Sequence, residues 1–228
     1  MIVPLLGQSD WTPFLSGLQP WHPSDAPMVV IAPHPDDETL GAGGLIATQR
    51  SCGCDVTVVA VTDGEHAYTD NQGLAELRRE EQASALVRLG VPREKIVRLG
   101  LRDSGVADQE QELIARLRTL IAANTQVIAP WCGDFHPDHE ACARAAAIVA
   151  QSAGATLISY FFWTWHRGKP ATLDGLTLRK FELNETMKSA KRDALECHRS
   201  QLQHAPEPEI LPANLLWPAH LPFEVFAL

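Results

Sequence analysis

The sequence predicts an α/β protein with a Rossmann-like, mostly parallel sheet, helices on both faces, and a metal site at the carboxyl ends of the strands. Two observations carry that prediction. Short β-branched runs alternate with helical stretches along most of the chain, the pattern of βαβ units. Two clusters of titratable residues, His34-Pro35-Asp36-Asp37-Glu38 and Asp134-Phe135-His136-Pro137-Asp138-His139, each follow one of those runs. In an open parallel sheet, sites form at the carboxyl ends of the strands.

Residues 1–27, rich in Pro and Trp without a period, read as an arm over the surface. MVVIAP (28–33) is an unbroken β-branched run of the kind buried on both faces of a sheet. A helix is expected over 38–49, then a strand CDVTVVAVT (54–62). LAELRREEQASALVRLG (74–90) is an amphipathic helix closed by Gly90 and Pro92. The alternation continues with a strand at 95–100, a helix at 111–123, a strand at 125–131, a helix at 139–151 and a strand at 155–163. Beyond it, 172–183 reads as an extended piece at the sheet edge and 184–201 as a helix. A Pro-rich tail (202–228) ends in PFEVFAL, a last strand. With no internal repeat and no low-complexity linker, residues 1–228 read as a single domain.

Composition narrows the function. The net charge of −9 argues against a nucleic-acid partner, because phosphate binding is driven by clustered Lys and Arg. No apolar run reaches the roughly 18 residues that span a bilayer. The N-terminus lacks the basic region of a secretory signal. A cytoplasmic protein is therefore expected, its five cysteines reduced and used for buried packing. A homo-oligomer is allowed.

The two polar clusters carry the chemistry. Four titratable groups within five residues beside a buried strand are costly unless something compensates their charge, and a divalent metal does so. His34 and Asp37, at i and i+3 on a turn, can both point inward, leaving Asp36 beside the metal as a base. His136 and His139 are again at i and i+3 and face one point. Asp138 is placed to cap the helix or to orient a histidine ring. Two histidines, one carboxylate and an open position form a hydrolytic zinc set, in which bound water reaches a pKa of about 7. Iron(II) suits the same set in a reducing cell. Asp36 would take the proton of that water, and a protonated His136 would stabilise an oxyanion and protonate the leaving amine.

HPDDETLGAGG followed by HPDHEA resembles the PIG-L/LmbE-like family of zinc-dependent N-deacetylases. Further pieces match in order: TDGE (62–65), Arg78-x-x-Glu81, Arg102-Asp103-Ser104-Gly105, and the K-x-x-A-L-x-x-H-x-S-Q element ending at Gln201. The resemblance implies a hydrolase removing an N-acetyl group from an N-acetylglucosamine-type sugar or related amide. It implies zinc on His34, Asp37 and His139, Asp36 as base, and His136 as acid or electrostatic stabiliser. Arg78 and Asp103 then match positions that hold sugar hydroxyls, with Arg79 an adjacent rival. His198, in the H-x-S-Q element, is a further substrate-binding candidate or a structural hydrogen-bonding residue.

Other readings stay open at this point. Gly41-Ala42-Gly43-Gly44 could serve a nucleotide-binding module, although it lacks the full phosphate-loop spacing and any Walker lysine. A metal-binding protein without catalysis is another alternative. His66 and Tyr68 on a loop, and Trp163, Trp165 and His166 after a strand, are candidates to touch substrate.

Overall fold

A computed structural model of the chain describes residues 3–69, 72–203 and 207–228. Among them, eight strands form one sheet: β1 (Gln19–Pro20), β2 (Met28–Ala32), β3 (Val56–Ala60), β4 (Ile96–Arg98), β5 (Gln126–Pro130), β6 (Thr156–Tyr160), β7 (Leu178–Glu182) and β8 (Phe223–Ala227). Their order across the sheet is β1-β7-β8-β6-β5-β2-β3-β4. All pairings are parallel except those of β8, which runs antiparallel to both β6 and β7. The helices are α1 (Gln8–Ser16), α2 (Asp37–Ser51), α3 (Leu74–Arg88), α4 (Glu110–Leu117), α5 (Pro137–Ala153), α6 (Thr164–Arg167), α7 (Glu185–Leu195) and α8 (Arg199–Leu202). None is long and apolar enough to cross a membrane.

The α/β prediction is therefore met, and burial explains why. Met28, Val30 and Ala32 of β2 join one core with residues of α2, α3 and α7. Val29 and Ile31 join a second core with α4 and α5. Successive side chains of a strand face opposite sides, so a strand covered on both sides reads as an uninterrupted apolar run.

The chain adds β3 and β4 on one side of β2, then crosses to add β5 and β6 on the other. β2 and β5 are thus parallel neighbours, with Val30 opposite Ile128, and their carboxyl ends lie side by side at the switch point. The HPDD turn leaves one of these ends, and the segment before α5 leaves the other.

The glycines of α2 are packing residues. A Cβ on Gly41 would lie 2.2 Å from the ring of Tyr160, and one on Gly44 2.4 Å from Leu183. Tyr160 is fully buried and its hydroxyl donates to the Ile31 carbonyl at 3.0 Å, so the ring cannot yield. The close approach leaves no cradle for a phosphate, which removes the structural basis for the nucleotide-module alternative. Along the same helix, Glu224 of β8 accepts from the amides of Gly44 (2.7 Å) and Leu45 (2.8 Å). Lys191 of α7 donates to Glu224 at 2.6 Å and to the Leu40 carbonyl at 2.9 Å. This buried pair ties α2 to the last strand.

The ends of the chain depart from the expectation. The arm contains a helix and a strand: Trp11 of α1 is completely buried and donates its indole N–H to the Trp165 carbonyl at 3.0 Å. β1 occupies the sheet edge, so β7 is an interior strand and not the edge piece expected. The expected long strand at 155–163 stops at Tyr160, and the expected helix at 184–201 breaks into α7 and α8. In the Pro-rich tail, residues 204–206 lie outside the described residues. All five cysteines are free; Cys54 and Cys142 are buried as expected, whereas Cys52 and Cys132 are exposed and have no packing role.

Candidate active site

The turn after β2 is pinned from several sides. Thr62 donates its hydroxyl to the Pro33 carbonyl at 2.8 Å, and Gln201 donates to the Pro35 carbonyl. Asp36 sits at φ 138°, a conformation rare for a residue with a side chain. Such strain persists only where the surroundings over-determine it. Here the Asp36 carbonyl accepts from the amides of Thr39 (2.9 Å) and Leu40 (2.8 Å), starting α2. Phe135, in the segment before α5, is also left-handed at φ 56°. Pro137 then opens α5 at a position where proline costs no hydrogen bond.

These turns bring the two clusters together. Asp37 Oδ2 lies 3.2 Å from His34 Nδ1 and 3.2 Å from His139 Nε2. The rings of His34, His136 and His139 have centroids 4.9–5.5 Å apart. Ligand atoms of these three histidines lie within 4.8 Å of one another, as do those of His34, Asp103 and Asp138. His139 Nε2 is buried, close to Asp37, and makes no hydrogen bond with it. An orphaned imidazole nitrogen facing a carboxylate and two further histidines fits a metal ligand better than a packed core group. The nitrogen and oxygen donors suit zinc or iron(II).

Carboxylates stand behind both rings. Asp134 accepts from His139 Nδ1 at 2.8 Å and from the Thr164 amide (2.9 Å) and hydroxyl (2.7 Å), with Phe162 and Trp163 amides at 3.1 and 3.3 Å. It is completely buried. On the other ring, His34 Nε2 lies 3.2 Å from Asp138 and 3.3 Å from Asp103. Asp138 is fixed in turn by the amides of Ser104 (2.8 Å) and Val106 (3.1 Å). Of the two roles expected for Asp138, orienting a histidine is the one its contacts fit, but the histidine is His34 from the other cluster. Capping falls to His136, whose Nδ1 accepts the Asp138 amide at 3.2 Å. That bond leaves the His136 proton on Nε2.

A cavity of about 440 Å³ opens over the cluster, its floor made by His34, Asp36, Asp37 and His136. Arg78 and Asp103 line it. Arg78 is held by the Gly64 carbonyl at 2.6 Å and by Gln201. Its rival Arg79 pairs instead with Asp63 at 2.7 Å, away from the cavity. Tyr68 lines the cavity, whereas His66 holds Asp103 through its amide at 2.9 Å. His198 lies behind the wall, fully buried between Thr39 and Gln201 at 3.4 Å from each. Trp163 faces the cavity with its ring parallel to that of His136, while Trp165 packs in the interior against Trp11.

Burial and the charge of Asp37 push the Asp36 carboxyl well above its usual range, with Arg78 opposing. Burial also raises the Asp37 carboxyl, but His139 and His34 outweigh it and hold the group far below the usual carboxylate range. A protonated His136 is not what the site favours. Burial, then His34 and His139, push its ring down to about 4, leaving a neutral imidazole at neutral pH. Burial lowers His139 as well, yet Asp37 and Asp134 more than offset it, taking it up to about 9. His34 is likewise raised, because Asp103, Asp138 and Asp37 overcome its burial.

A pH dependence follows for metal-stripped protein. A histidine raised on folding stabilises fully below its unfolded pKa near 6.5 and loses that contribution as pH rises through the folded value. Metal-stripped protein should therefore lose stability between pH 6.5 and 9, on the order of 3 kcal/mol from His139 alone. Zinc, which requires neutral imidazoles, should abolish the decline. Melting temperatures of both forms across this range check it; parallel profiles would count against metal binding at these histidines.

The family model of PIG-L, described as GlcNAc-PI de-N-acetylase, matches residues 29–150, more than half of the chain. The chain belongs to the PIG-L family. A probable N-acetyl-alpha-D-glucosaminyl L-malate deacetylase 2 of Bacillus subtilis is 31% identical over 129 residues, 52% of this chain and 58% of that one. The match thus spans little more than half the length of that relative. A 1D-myo-inositol 2-acetamido-2-deoxy-alpha-D-glucopyranoside deacetylase of Corynebacterium glutamicum is 27% identical over 233 residues, 78% of this chain and 76% of the relative. The fold is shared with the solved N,N'-diacetylchitobiose deacetylase from Pyrococcus horikoshii, at TM-score 0.62 and 23% identity over 87% of this chain and 75% of that one.

Several site residues escape the sequence reading. Asp134 stands inside the second cluster, but its role depends on donors from 162–164. Gln201 was within reach, as the last residue of the H-x-S-Q element, and it bridges Arg78 to the HPDD turn. The tail segment 207–212 also lines the cavity, and no motif announces it.

Proposed function

We propose that this chain is a single-domain, zinc-dependent N-deacetylase that hydrolyses the acetamide of an amino-sugar substrate, free or conjugated, to amine and acetate. The observation that carries the reading is the placement of Asp36 and His136 on one cavity floor with His34 and Asp37, beside the orphaned Nε2 of His139. Membership of the PIG-L family and the sugar deacetylases among its relatives support the same reaction. His34, Asp37 and His139 would hold the metal, which supplies Lewis-acid activation of water and of the acyl oxygen.

The protein groups do the rest. Asp36, with its raised proton affinity, is suited to take a proton from the attacking water and return it to the departing nitrogen as the C–N bond breaks. Neutral His136 offers its Nε2–H to the developing oxyanion. Asp134 and Asp138 hold the two ligand rings in orientation and tautomer. Arg78 and Asp103 border the space left for the sugar ring. The intact Asp36 and His136 weigh against a non-catalytic metal-binding protein. Acetate release measured over a panel of N-acetylated amino sugars, with O-acetylated sugars and phosphomonoesters as controls, tests the reading. Release from the acetamides supports it; hydrolysis confined to the controls refutes it.

A further inference from the structure

The cavity has two unlike sides. Its floor is polar and charged, as described above. Its outer side is an apolar shelf built by Phe162 and Trp163 after β6 and by Ile210 and Leu211 from the tail. Phe162, Trp163 and Leu211 belong to one buried cluster, against which Ile210 packs. The Leu211 amide donates to the Gln201 carbonyl at 3.0 Å, fixing the tail to the same residue that braces the HPDD turn. Phe162 and Leu211 are almost wholly buried, so the shelf presents chiefly the half-buried Ile210 with Trp163 beside it. The whole shelf lies beyond the residues matched by the family.

Charge on this side is negative. Glu207 and Glu209 line the outer cavity, Glu207 accepting from the Thr69 amide at 3.2 Å. Arg167, the lining cation nearest the shelf, lies over the Trp163 ring at 4.5 Å and donates to the Phe135 carbonyl at 2.7 Å. Its guanidinium is already engaged by the protein. A group extending from a sugar seated on the floor meets an apolar face rimmed by carboxylates.

We propose that the shelf binds an uncharged apolar substituent, alkyl or aryl, carried by the amino sugar, and that Glu207 and Glu209 disfavour anionic ones. The proposal rests on the deacetylase reading for the position of the sugar. Burying several methylenes on such a surface is expected to tighten binding at least ~10-fold. The test compares methyl, hexyl and 5-carboxypentyl glucosaminides, the amine products, by calorimetry on zinc-loaded protein, and acetate release from the corresponding N-acetyl compounds.

The hexyl glycoside should bind at least ~10-fold more tightly than the methyl, and the carboxypentyl more weakly than the hexyl by a similar factor. Ile210→Ser should bring the hexyl-to-methyl ratio toward one, while Ile210→Leu retains it. Replacing both Glu207 and Glu209 with Gln should raise carboxypentyl affinity. Equal affinities for hexyl and methyl, or a ratio that Ile210→Ser leaves unchanged, would overturn the shelf. Tighter hexyl binding without acetate release from any glycoside would support the shelf and reject the deacetylase reading. Equally efficient release with equal binding would do the reverse.

Discussion

Asp36→Asn should keep its zinc and lose nearly all turnover, with kcat reduced by about three to four orders of magnitude. The substitution is close to isosteric, so it asks no more of the strained backbone at φ 138° than aspartate does. It leaves the proposed ligand atoms of His34, Asp37 and His139 untouched, so metal content should stay at the wild-type level. What disappears is the one carboxylate on the cavity floor whose proton affinity is raised by burial and by Asp37. An amide cannot take a proton from water at neutral pH. Stability should not suffer, because a buried carboxylate next to a second one is a cost that the amide removes. Metal analysis, a melting curve and acetate release on the same preparation separate these effects. Wild-type turnover in this variant would remove the base assignment.

His139→Gln should act on the metal instead. The ring is completely buried, held through Nδ1 by Asp134, and directs an unpaired Nε2 at Asp37. Loss of an oriented supporting group alone weakens a metal site roughly 10- to 100-fold, and loss of a ligand should cost at least that upper figure. The variant should therefore lose zinc on dialysis and lose activity in proportion. Glutamine preserves much of the ring's volume, which keeps the fold available for measurement. Full zinc occupancy after dialysis would show that the third ligand lies elsewhere, His136 being the nearest candidate by geometry.

How much of this was legible in the sequence depends on the range over which each feature is encoded. The central strands were legible because burial on both faces leaves an unbroken apolar run, as in Met28–Ala32. The two clusters were legible because each is local, and the parallel neighbours β2 and β5 bring them together. Asp134 could be seen but not understood: its donors come from 162–164, and only tertiary packing makes it the fixed point behind His139. The helix in the N-terminal arm was missed because Pro13 and a short span obscure it, although Trp11 and Leu15 at i and i+4 were the available signal. The tail at 207–212 carries no period at all, and its place in the cavity is set by long-range contacts with Gln201 and the Phe162–Trp163 cluster.

The protonation of His136 is a related case. Sequence shows a histidine at the right spacing but not the two neighbouring rings and the burial that make it neutral. In the proposed mechanism its role is therefore hydrogen-bond donor, and proton delivery to the amine is assigned to Asp36.

Titrating metal-stripped protein with zinc, while following acetate release from an N-acetylated amino sugar, tests whether His34, Asp37 and His139 hold one catalytic metal. Activity should rise linearly from near zero and break at one equivalent per chain. Undiminished activity in stripped protein, or a break at two equivalents, would contradict it.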